Sequence, residues 1–175
     1  LEFPTDFVHD LEGFSQDDEG AALTGTVGAY EIQRRVGRGG MGEVYLAHDR
    51  TFGNLVALKV LYDAALREAQ HARLCSGHPH IVTMYDVFEG RLGDRMRTVL
   101  VMEYIAGKPA SRLVEDDPPP LRDAVRWARH AAAAIAHAHD RGVLHCDLKP
   151  ANILITPEDG QRSWISASGA PRSSG

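Results

Sequence analysis

The sequence is poor in cysteine, with only Cys75 and Cys146 among its 175 residues. The two cysteines lie far apart and show no CxxC spacing, so the sequence gives no indication of a disulfide framework or of a zinc site. This sparse use of cysteine is typical of a protein from a reducing compartment, and we expect a cytoplasmic location.

Long apolar runs and basic runs are also missing. No segment reaches the roughly 18 apolar residues that a membrane-spanning helix needs, so we expect no membrane partner for this chain. The formal net charge is −5, and no run of five or more basic residues is present. A negative chain without basic clusters argues against nucleic acid as a partner.

What is present begins with an acidic segment. Residues 1–28 hold seven acidic side chains and neither lysine nor arginine, and we interpret them as a disordered tail. Strand-like runs separated by turn residues follow, at residues 30–36, 43–48, 55–62, 81–88 and 98–105. One helix is predicted at residues 63–75, closed by Gly77 and Pro79. We therefore expect residues 29–106 to form a five-stranded antiparallel sheet with one helix.

The second half of the sequence has a helical pattern. Three consecutive prolines precede a predicted long helix at residues 121–141. Apolar residues at spacings of three and four predict one buried stripe, made of Ala124, Ala128, Ala131, Ile135 and Ala138. A hairpin is predicted from residues 152–156 and 162–166. Residues 107–166 would then form a partial helical lobe, and residues 167–175 an unstructured tail.

A glycine-rich segment lies between the first two predicted strands and reads GRGGMGEV at residues 37–44. Its GxGxxGxV spacing lets the backbone turn tightly and bring N–H groups against phosphate oxygens, where a Cβ would intrude. A dinucleotide-binding turn has similar spacing but opens a helix, whereas residues 43–48 show a strand pattern. The motif alone fits either a phosphate-binding loop or a plain glycine-rich hairpin.

A single lysine, Lys59, interrupts the apolar run VALKV at residues 56–60. A lysine in such a strand is ordinarily a surface or edge residue. Beside a phosphate-binding loop, its ammonium group can instead neutralise the α- and β-phosphates of a nucleotide, provided that a carboxylate holds it in place. Glu68, on the predicted helix, is the candidate carboxylate.

The third motif reads HCDLKPAN at residues 145–152 and follows the long helix. It places a carboxylate, an ammonium group and an amide on one short loop, which is the set that phosphoryl transfer requires. Asp147 is the candidate acceptor of a substrate hydroxyl proton, Lys149 the candidate partner of the moving phosphoryl group, and Asn152 the candidate metal ligand. Singly, such residues are often caps or turn formers, so the hypothesis depends on their spacing and on the two upstream motifs.

Together these motifs resemble the eukaryotic-like serine/threonine protein kinases of bacteria. The resemblance covers residues 30–166 and rests on the segments GRGGMGEVYLA, VALKV, HPHIV, VMEYI and HCDLKPANIL. It implies an α+β, protein-kinase-like fold: a five-stranded antiparallel N-terminal lobe with one helix, an incomplete helical C-terminal lobe, and ATP in the cleft. The lysine after Asp-Leu resembles the Ser/Thr branch, which implies ATP-dependent phosphoryl transfer to serine or threonine hydroxyls of proteins.

The same resemblance implies roles for individual residues. Asp147 and Lys149 would be catalytic, and Asn152 would bind Mg²⁺. The adenine ring would meet backbone groups near Glu103 and Ile105. The residues implied in ATP binding are Gly37, Gly39, Gly40, Gly42, Val44, Ala57, Lys59, Glu68, Met102, Glu103 and Ile105.

Three departures from the family pattern bear on activity. Cys146 stands where kinases switched by activation-loop phosphorylation carry arginine. Lys59 and Glu68 are only nine residues apart, closer than the family leads us to expect. Most seriously, residues 167–169 read Ala-Ser-Gly in place of the Asp-Phe-Gly whose aspartate binds the ATP magnesium. Neither alanine nor serine supplies the charged oxygen ligand that Mg²⁺ prefers.

Three functional hypotheses therefore stay open at this point. The chain is a serine/threonine kinase that turns over ATP, a pseudokinase or nucleotide-binding interaction module, or an inactive product of a disrupted kinase gene. The expected partners are ATP and a protein substrate that the sequence does not identify. Mg²⁺ is the expected cofactor, and we expect it to bind weakly because the second metal-binding aspartate is absent.

Overall fold

The structure is a computed structural model that describes residues 23–39, 42–62, 73–92, 95–116, 118–144 and 148–156. Contacts divide the chain into two units. The first contains the described parts of Pro4–Leu66 and Met84–Tyr104, and the second those of Arg67–Thr83 and Ile105–Gly175. Residues 73–83, which the sequence places with the N-terminal lobe, thus group with the second unit.

The first unit is built on an antiparallel sheet of six strands. Most of its strands form where β-branched and aromatic residues are bounded by turn residues. The strands are β1 (Gly25–Val27), β2 (Tyr30–Gly39), β3 (Gly42–Asp49), β4 (Leu55–Leu61), β5 (Met84–Leu92) and β6 (Arg95–Glu103). Their order across the sheet is β1-β2-β3-β4-β6-β5, which places β4 in the interior.

The prediction of five strands is wrong by one. The additional strand, β1, lies within residues 1–28, the segment predicted as a tail. It pairs antiparallel with β2, where Val27 faces Tyr30, and Val27 is 5% exposed. The small residues of β1 have little strand preference of their own, so pairing and the burial of Val27 stabilise this strand.

The apolar core of the first unit lies on one face of the sheet. Along β4, Val56, Leu58 and Val60 belong to this core, and the alternate residues project from the opposite face. Tyr30 and Phe88 stack at its margin, with ring centroids 5.9 Å apart. The core consists of Val27, Ile32, Tyr45, Ala47, Val56, Leu58, Val60, Val99 and Val101.

A tight turn sets the register between β3 and β4. The buried Asp49 carboxylate accepts hydrogen bonds from the N–H groups of Thr51, at 2.8 Å, and Phe52, at 3.2 Å. The N–H of Gly53 donates to the carbonyl of Asp49 at 2.8 Å. An aspartate that bonds the backbone two residues ahead is a common turn former, and here it aligns β4 against β3.

The second unit contains helices and a small sheet. Its described elements are β7 (Lys108–Pro109), α1 (Ala110–Asp116), α2 (Leu121–Asp140), a 3₁₀ helix at Pro150–Asn152 and β8 (Leu154–Ile155). Residues 73–75 are also helical. The predicted long helix agrees with α2 to within one residue, whereas α1 and β7 were not predicted. Strand β8 pairs with β7, and residues 162–166, its predicted partner, lie outside the described residues.

Helix α2 ends at a glycine in the left-handed conformation, Gly142, with φ +75°. The Gly142 N–H donates to the carbonyl of His139 at 2.9 Å, and the Val143 N–H donates to the carbonyl of Ala138 at 3.0 Å. These bonds satisfy carbonyl groups that the helix itself leaves without partners.

The buried side of α2 differs in part from the predicted stripe. Ala131 and Ala138 are buried as predicted, but Ala128 is exposed and Ala134, which the stripe omits, is fully buried. Alanines fill all of positions 131–134, so composition does not distinguish one side of the helix from the other. The packing partners, Cys75 among them, decide which alanines are buried.

Four histidines meet where α2 packs on the segment that precedes β5. The His78 and His137 ring centroids are 4.8 Å apart, and His80 stacks on His130 at 3.9 Å. Burial, followed by the charges of His137 and Arg141, lowers the pKa of His78 from its usual value. The folded chain therefore favours the neutral form of His78.

We expect acid to destabilise the fold through His78. Because its folded pKa lies below the unfolded value of about 6.5, the unfolded chain binds the proton more readily. The stabilisation is present above that pH and is lost as the pH falls through the folded pKa. Thermal unfolding at about pH 7.5 and about pH 5.5 measures the effect.

The matched variants are His78→Asn and His139→Asn, the second on α2 but outside the four histidines. His78→Asn should show a smaller pH dependence of unfolding than the parent, and His139→Asn should keep the parent's. If His78→Asn and the parent lose the same stability in acid, the assignment to His78 is wrong.

Candidate active site

The glycine-rich segment joins β2 to β3 as a hairpin. The strand β3 begins at the last glycine, Gly42, so the segment does not open a helix as a dinucleotide-binding turn would. Gly40, predicted to bind ATP, lies outside the described residues. The residues that face each other across the hairpin are Gly37 with Val44, Arg38 with Glu43, and Gly39 with Gly42.

Gly42 is required by the packing of the sheet. A Cβ atom at this position would overlap the carbonyl oxygen of Val60 in β4 and lie 3.0 Å from its carbonyl carbon. The obstacle is backbone that is itself held in the sheet, and it cannot rotate aside as a side chain can. A larger residue would therefore separate β3 from β4 next to the glycine hairpin.

Lys59 lies in the middle of β4 and is fully buried, with 0% exposure. Its partners on the neighbouring strands are Val44 of β3 and Leu100 of β6, both apolar. This position rules out a surface or edge lysine. Because burying an ammonium group is costly unless charged or polar groups compensate it, such a residue is typical of a functional site.

Four residues that were predicted to bind ATP share one face of the sheet. Ala57 and Lys59 are two apart along β4, Val44 faces Lys59, and Met102 faces Ala57 across the ladders. Cross-strand partners and residues two apart project from the same side, so all four side chains lie opposite the apolar core. All four are buried.

The predicted contacts for adenine lie at the end of β6 and just beyond it. Glu103 is the last residue of β6, and residues 104–107 leave the strand ladder. The carbonyl of Ile105 accepts a hydrogen bond from the N–H of Gly107 at 3.0 Å. Backbone groups in such a segment are not all used by a sheet, which is the condition for a ligand to bind them.

The structure describes the second half of the motif that is predicted to be catalytic. Lys149 is extended, with φ −147° and ψ 157°, and leads into the 3₁₀ helix Pro150–Asn152. Asn152 is fully buried, and its N–H donates to the carbonyl of Lys149 at 2.9 Å. The carbonyl of Ile153 accepts the N–H of Ala110 at 2.8 Å, which ties the end of this loop to the start of α1.

Some predicted residues lie outside the described ranges. These are Gly40, Glu68 and Asp147, together with residues 167–169. The proton-accepting role of Asp147 and the pairing of Glu68 with Lys59 stay predictions. Of the predicted site residues, the structure therefore describes a group on one sheet face of the first unit and, separately, Lys149 and Asn152 of the second unit.

A group of charged and aromatic residues beside the glycine hairpin is not evident from the sequence alone. Glu43 accepts Arg35 Nη1 at 3.0 Å and the hydroxyl of Tyr45. Arg38 Nε donates to Tyr62 Oη at 3.2 Å. Burial and the bond to Glu43 raise the pKa of Tyr45, which keeps its hydroxyl a donor. The one signal in the sequence is that Arg38 and Glu43 flank the central glycines.

Comparison with known proteins agrees with these motifs. The family described as the protein kinase domain matches residues 30–166. The chain is 37% identical over 138 residues to the serine/threonine-protein kinase PknB of Mycobacterium leprae, a match that covers 73% of this chain and 22% of that protein. It is 36% identical over 138 residues to the serine/threonine-protein kinase pkn2 of Myxococcus xanthus, covering 74% of this chain and 16% of that protein.

Comparison with solved structures also finds a protein kinase domain. The crystal structure of the Mycobacterium tuberculosis PknI kinase domain matches with a TM-score of 0.66 at 30% identity, covering 86% of this chain and 64% of that one. The chain belongs to the serine/threonine protein kinase family, and its α+β fold is protein-kinase-like. It spans about half or less of the length of the curated relatives that it matches.

The described residues contain neither a helix that could span a membrane nor a group of side chains that could hold a metal ion. No helix among them is both long enough and apolar enough to cross a membrane. Within the same ranges, no three histidine, cysteine or acidic side chains are grouped so that they could hold a metal ion.

We expect Gly42→Ala to destabilise the first unit by about 3 kcal/mol, at the upper end of overpacking costs, because the new methyl group meets the Val60 backbone. Gly53→Ala is the control, since Gly53 has φ +73° with open space around its Cβ position. It should lose only about 1 kcal/mol, from its left-handed backbone. Urea unfolding measures both variants, and equal losses would contradict the role assigned to Gly42.

Proposed function

We propose that this chain binds ATP and transfers its γ-phosphoryl group to serine or threonine hydroxyls of proteins. The proposal depends on the burial of Lys59 on the sheet face that also presents Val44, Ala57 and Met102. Such a face combines apolar surface for a purine ring with a positive charge for phosphates. The names of the relatives PknB and pkn2, both serine/threonine-protein kinases, support the same function.

Each chemical group of the candidate site has a proposed role in the reaction. Lys59 neutralises charge on the α- and β-phosphates, and backbone N–H groups of the glycine hairpin bind phosphate oxygens. The substrate hydroxyl gives its proton to Asp147 as its oxygen bonds to the γ-phosphorus. The bond between the γ-phosphorus and the bridging oxygen breaks, ADP leaves, and Lys149 stabilises charge on the transferring group.

The residues of this chain supply only part of the oxygen ligands that Mg²⁺ prefers. Bound Mg²⁺ would neutralise the charge of the phosphates. Asn152 is buried and offers an amide oxygen, a ligand type that this ion accepts. Residues 167–169 offer no carboxylate where the family pattern has one. We therefore assign Asn152 as the metal-holding residue and propose weak metal binding.

A cytoplasmic location is proposed from the sparse use of cysteine in the sequence.

A pseudokinase that binds nucleotide without turnover is the second candidate. The Ala-Ser-Gly sequence at residues 167–169 favours it, because a nucleotide can bind while its metal is held too poorly for transfer. Transfer of radiolabelled phosphate from ATP to a serine/threonine peptide library separates the candidates, with Asp147→Asn as control. Label transfer that Asp147→Asn abolishes supports the kinase, whereas nucleotide binding without any transfer supports the pseudokinase.

We expect Lys59→Met to weaken Mg²⁺-ATP binding by at least about tenfold, since it removes a charged partner of the phosphates while keeping a similar volume. A fluorescent ATP analogue measures the affinity. Lys108→Met is the matched control, because Lys108 is exposed in β7. The proposal fails if the parent does not bind the analogue, or if Lys59→Met binds it as tightly as the parent.

We expect Asn152→Ala to reduce the effect of Mg²⁺ on nucleotide binding. The measured quantity is the ratio of affinities with Mg²⁺ and with a chelator, which cancels a general loss of folded protein. Asn54→Ala, in the exposed β3–β4 turn, should keep the parent's ratio. An unchanged ratio in Asn152→Ala would exclude Asn152 as the metal-holding residue.

A further inference from the structure

Arg38 lies within the glycine motif, yet its side chain is directed to the sheet. Its Nε donates to the hydroxyl of Tyr62 at 3.2 Å and lies 3.7 Å from a carboxylate oxygen of Glu43, its partner across the hairpin. A single guanidinium group thus links the hairpin to β3 and to the residue that follows β4.

Tyr62 and Glu43, two partners of Arg38, have contacts of their own with the sheet. The guanidinium group of Arg97, in β6, lies 5.7 Å from the ring centroid of Tyr62 and donates to the Tyr62 carbonyl. On the other side, Glu43 is bound by Arg35 at 3.0 Å and by the hydroxyl of the fully buried Tyr45. The partners of Arg38 are therefore themselves bonded to residues of β2, β3 and β6.

A hairpin rich in glycine needs such a restraint. Glycine has the largest backbone freedom of all residues and no side chain with which to pack, so ordering it is entropically costly. Hydrogen bonds with a charged partner are stronger than neutral ones, and planar guanidinium groups form them with defined direction. A side chain that ties the hairpin to the sheet reduces the freedom that nucleotide binding would otherwise have to remove.

We propose that Arg38 is a positioning residue, which holds the described part of the glycine hairpin, residues 37–39 and 42–44, to the sheet through Tyr62 and Glu43 so that its backbone N–H groups are ordered before phosphate binds. This inference rests on the proposed nucleotide-binding function. Arg38 acts through the backbone of the hairpin and is assigned no contact with the nucleotide.

The test is a double-mutant cycle of Arg38→Gln and Tyr62→Phe, read as affinity for a fluorescent ATP analogue. Tyr62→Phe removes the hydroxyl that accepts the hydrogen bond from Arg38 and keeps the aromatic ring that Arg97 contacts. We expect Arg38→Gln to bind at least about tenfold more weakly, which is the lower end of what one hydrogen bond to a charged group contributes. Because both changes remove the same link, the double variant should bind no more weakly than Arg38→Gln, whereas independent losses that multiply would overturn the proposal.

Arg34→Gln is the matched control, since Arg34 is an exposed arginine of the same strand. It should bind the analogue within about twofold of the parent, as expected for a surface substitution away from special contacts. If Arg34→Gln lost as much affinity for the analogue as Arg38→Gln, the cause would be the loss of positive charge in general and not the loss of a positioning contact.

Hydrogen exchange without nucleotide provides a readout that a general loss of stability does not reproduce. Peptides that cover residues 36–46 should exchange faster in Arg38→Gln than in the parent, while peptides from β4 and β6 exchange at the parent rate. Unchanged exchange in the hairpin would overturn the proposal. If the parent does not bind ATP, the proposed function fails, and the exchange experiment still decides whether Arg38 restrains the hairpin.

Discussion

Burial of the Lys59 ammonium group is the constraint on which the rest of this structure depends. A lysine in the interior of a sheet is costly unless its surroundings compensate the charge. Because side chains alternate along β4, Lys59 projects away from the apolar core that Val56, Leu58 and Val60 form on the other face. Along this one strand, one set of alternating side chains packs in the apolar core, and the other set contains the buried Lys59.

The glycine hairpin is adapted to this arrangement in two ways. Gly42 allows β3 to approach the Val60 carbonyl in β4, so the strand that carries Val44 stays in register with the strand that carries Lys59. Arg38 and Glu43 then connect the hairpin to the sheet through side chains, which the glycines cannot provide. The close approach and the side-chain links both reduce the freedom of a segment whose composition favours flexibility.

Membership of the kinase family and catalytic competence depend on different parts of this chain. The family match spans residues 30–166, which include helix α2 and the motifs at residues 37–44, 56–60 and 145–152. Turnover depends also on carboxylates that hold metal, and residues 167–169 contain none. A chain can therefore keep a kinase fold without the full set of metal-binding carboxylates, because apolar burial, not the metal ligands, stabilises the fold.

The sequence by itself determined five strands and the long helix α2, because alternation, helical spacing and glycine placement are local signals. It did not determine β1 or β7, since strands this short with small residues or proline form only where a partner is present. The choice of Ala134 over Ala128 as a buried residue likewise depended on what packs against α2. Only the tertiary structure brought Arg38, Tyr62 and Arg97 together, because residues far apart in sequence meet through strand pairing, and no local pattern encodes that pairing.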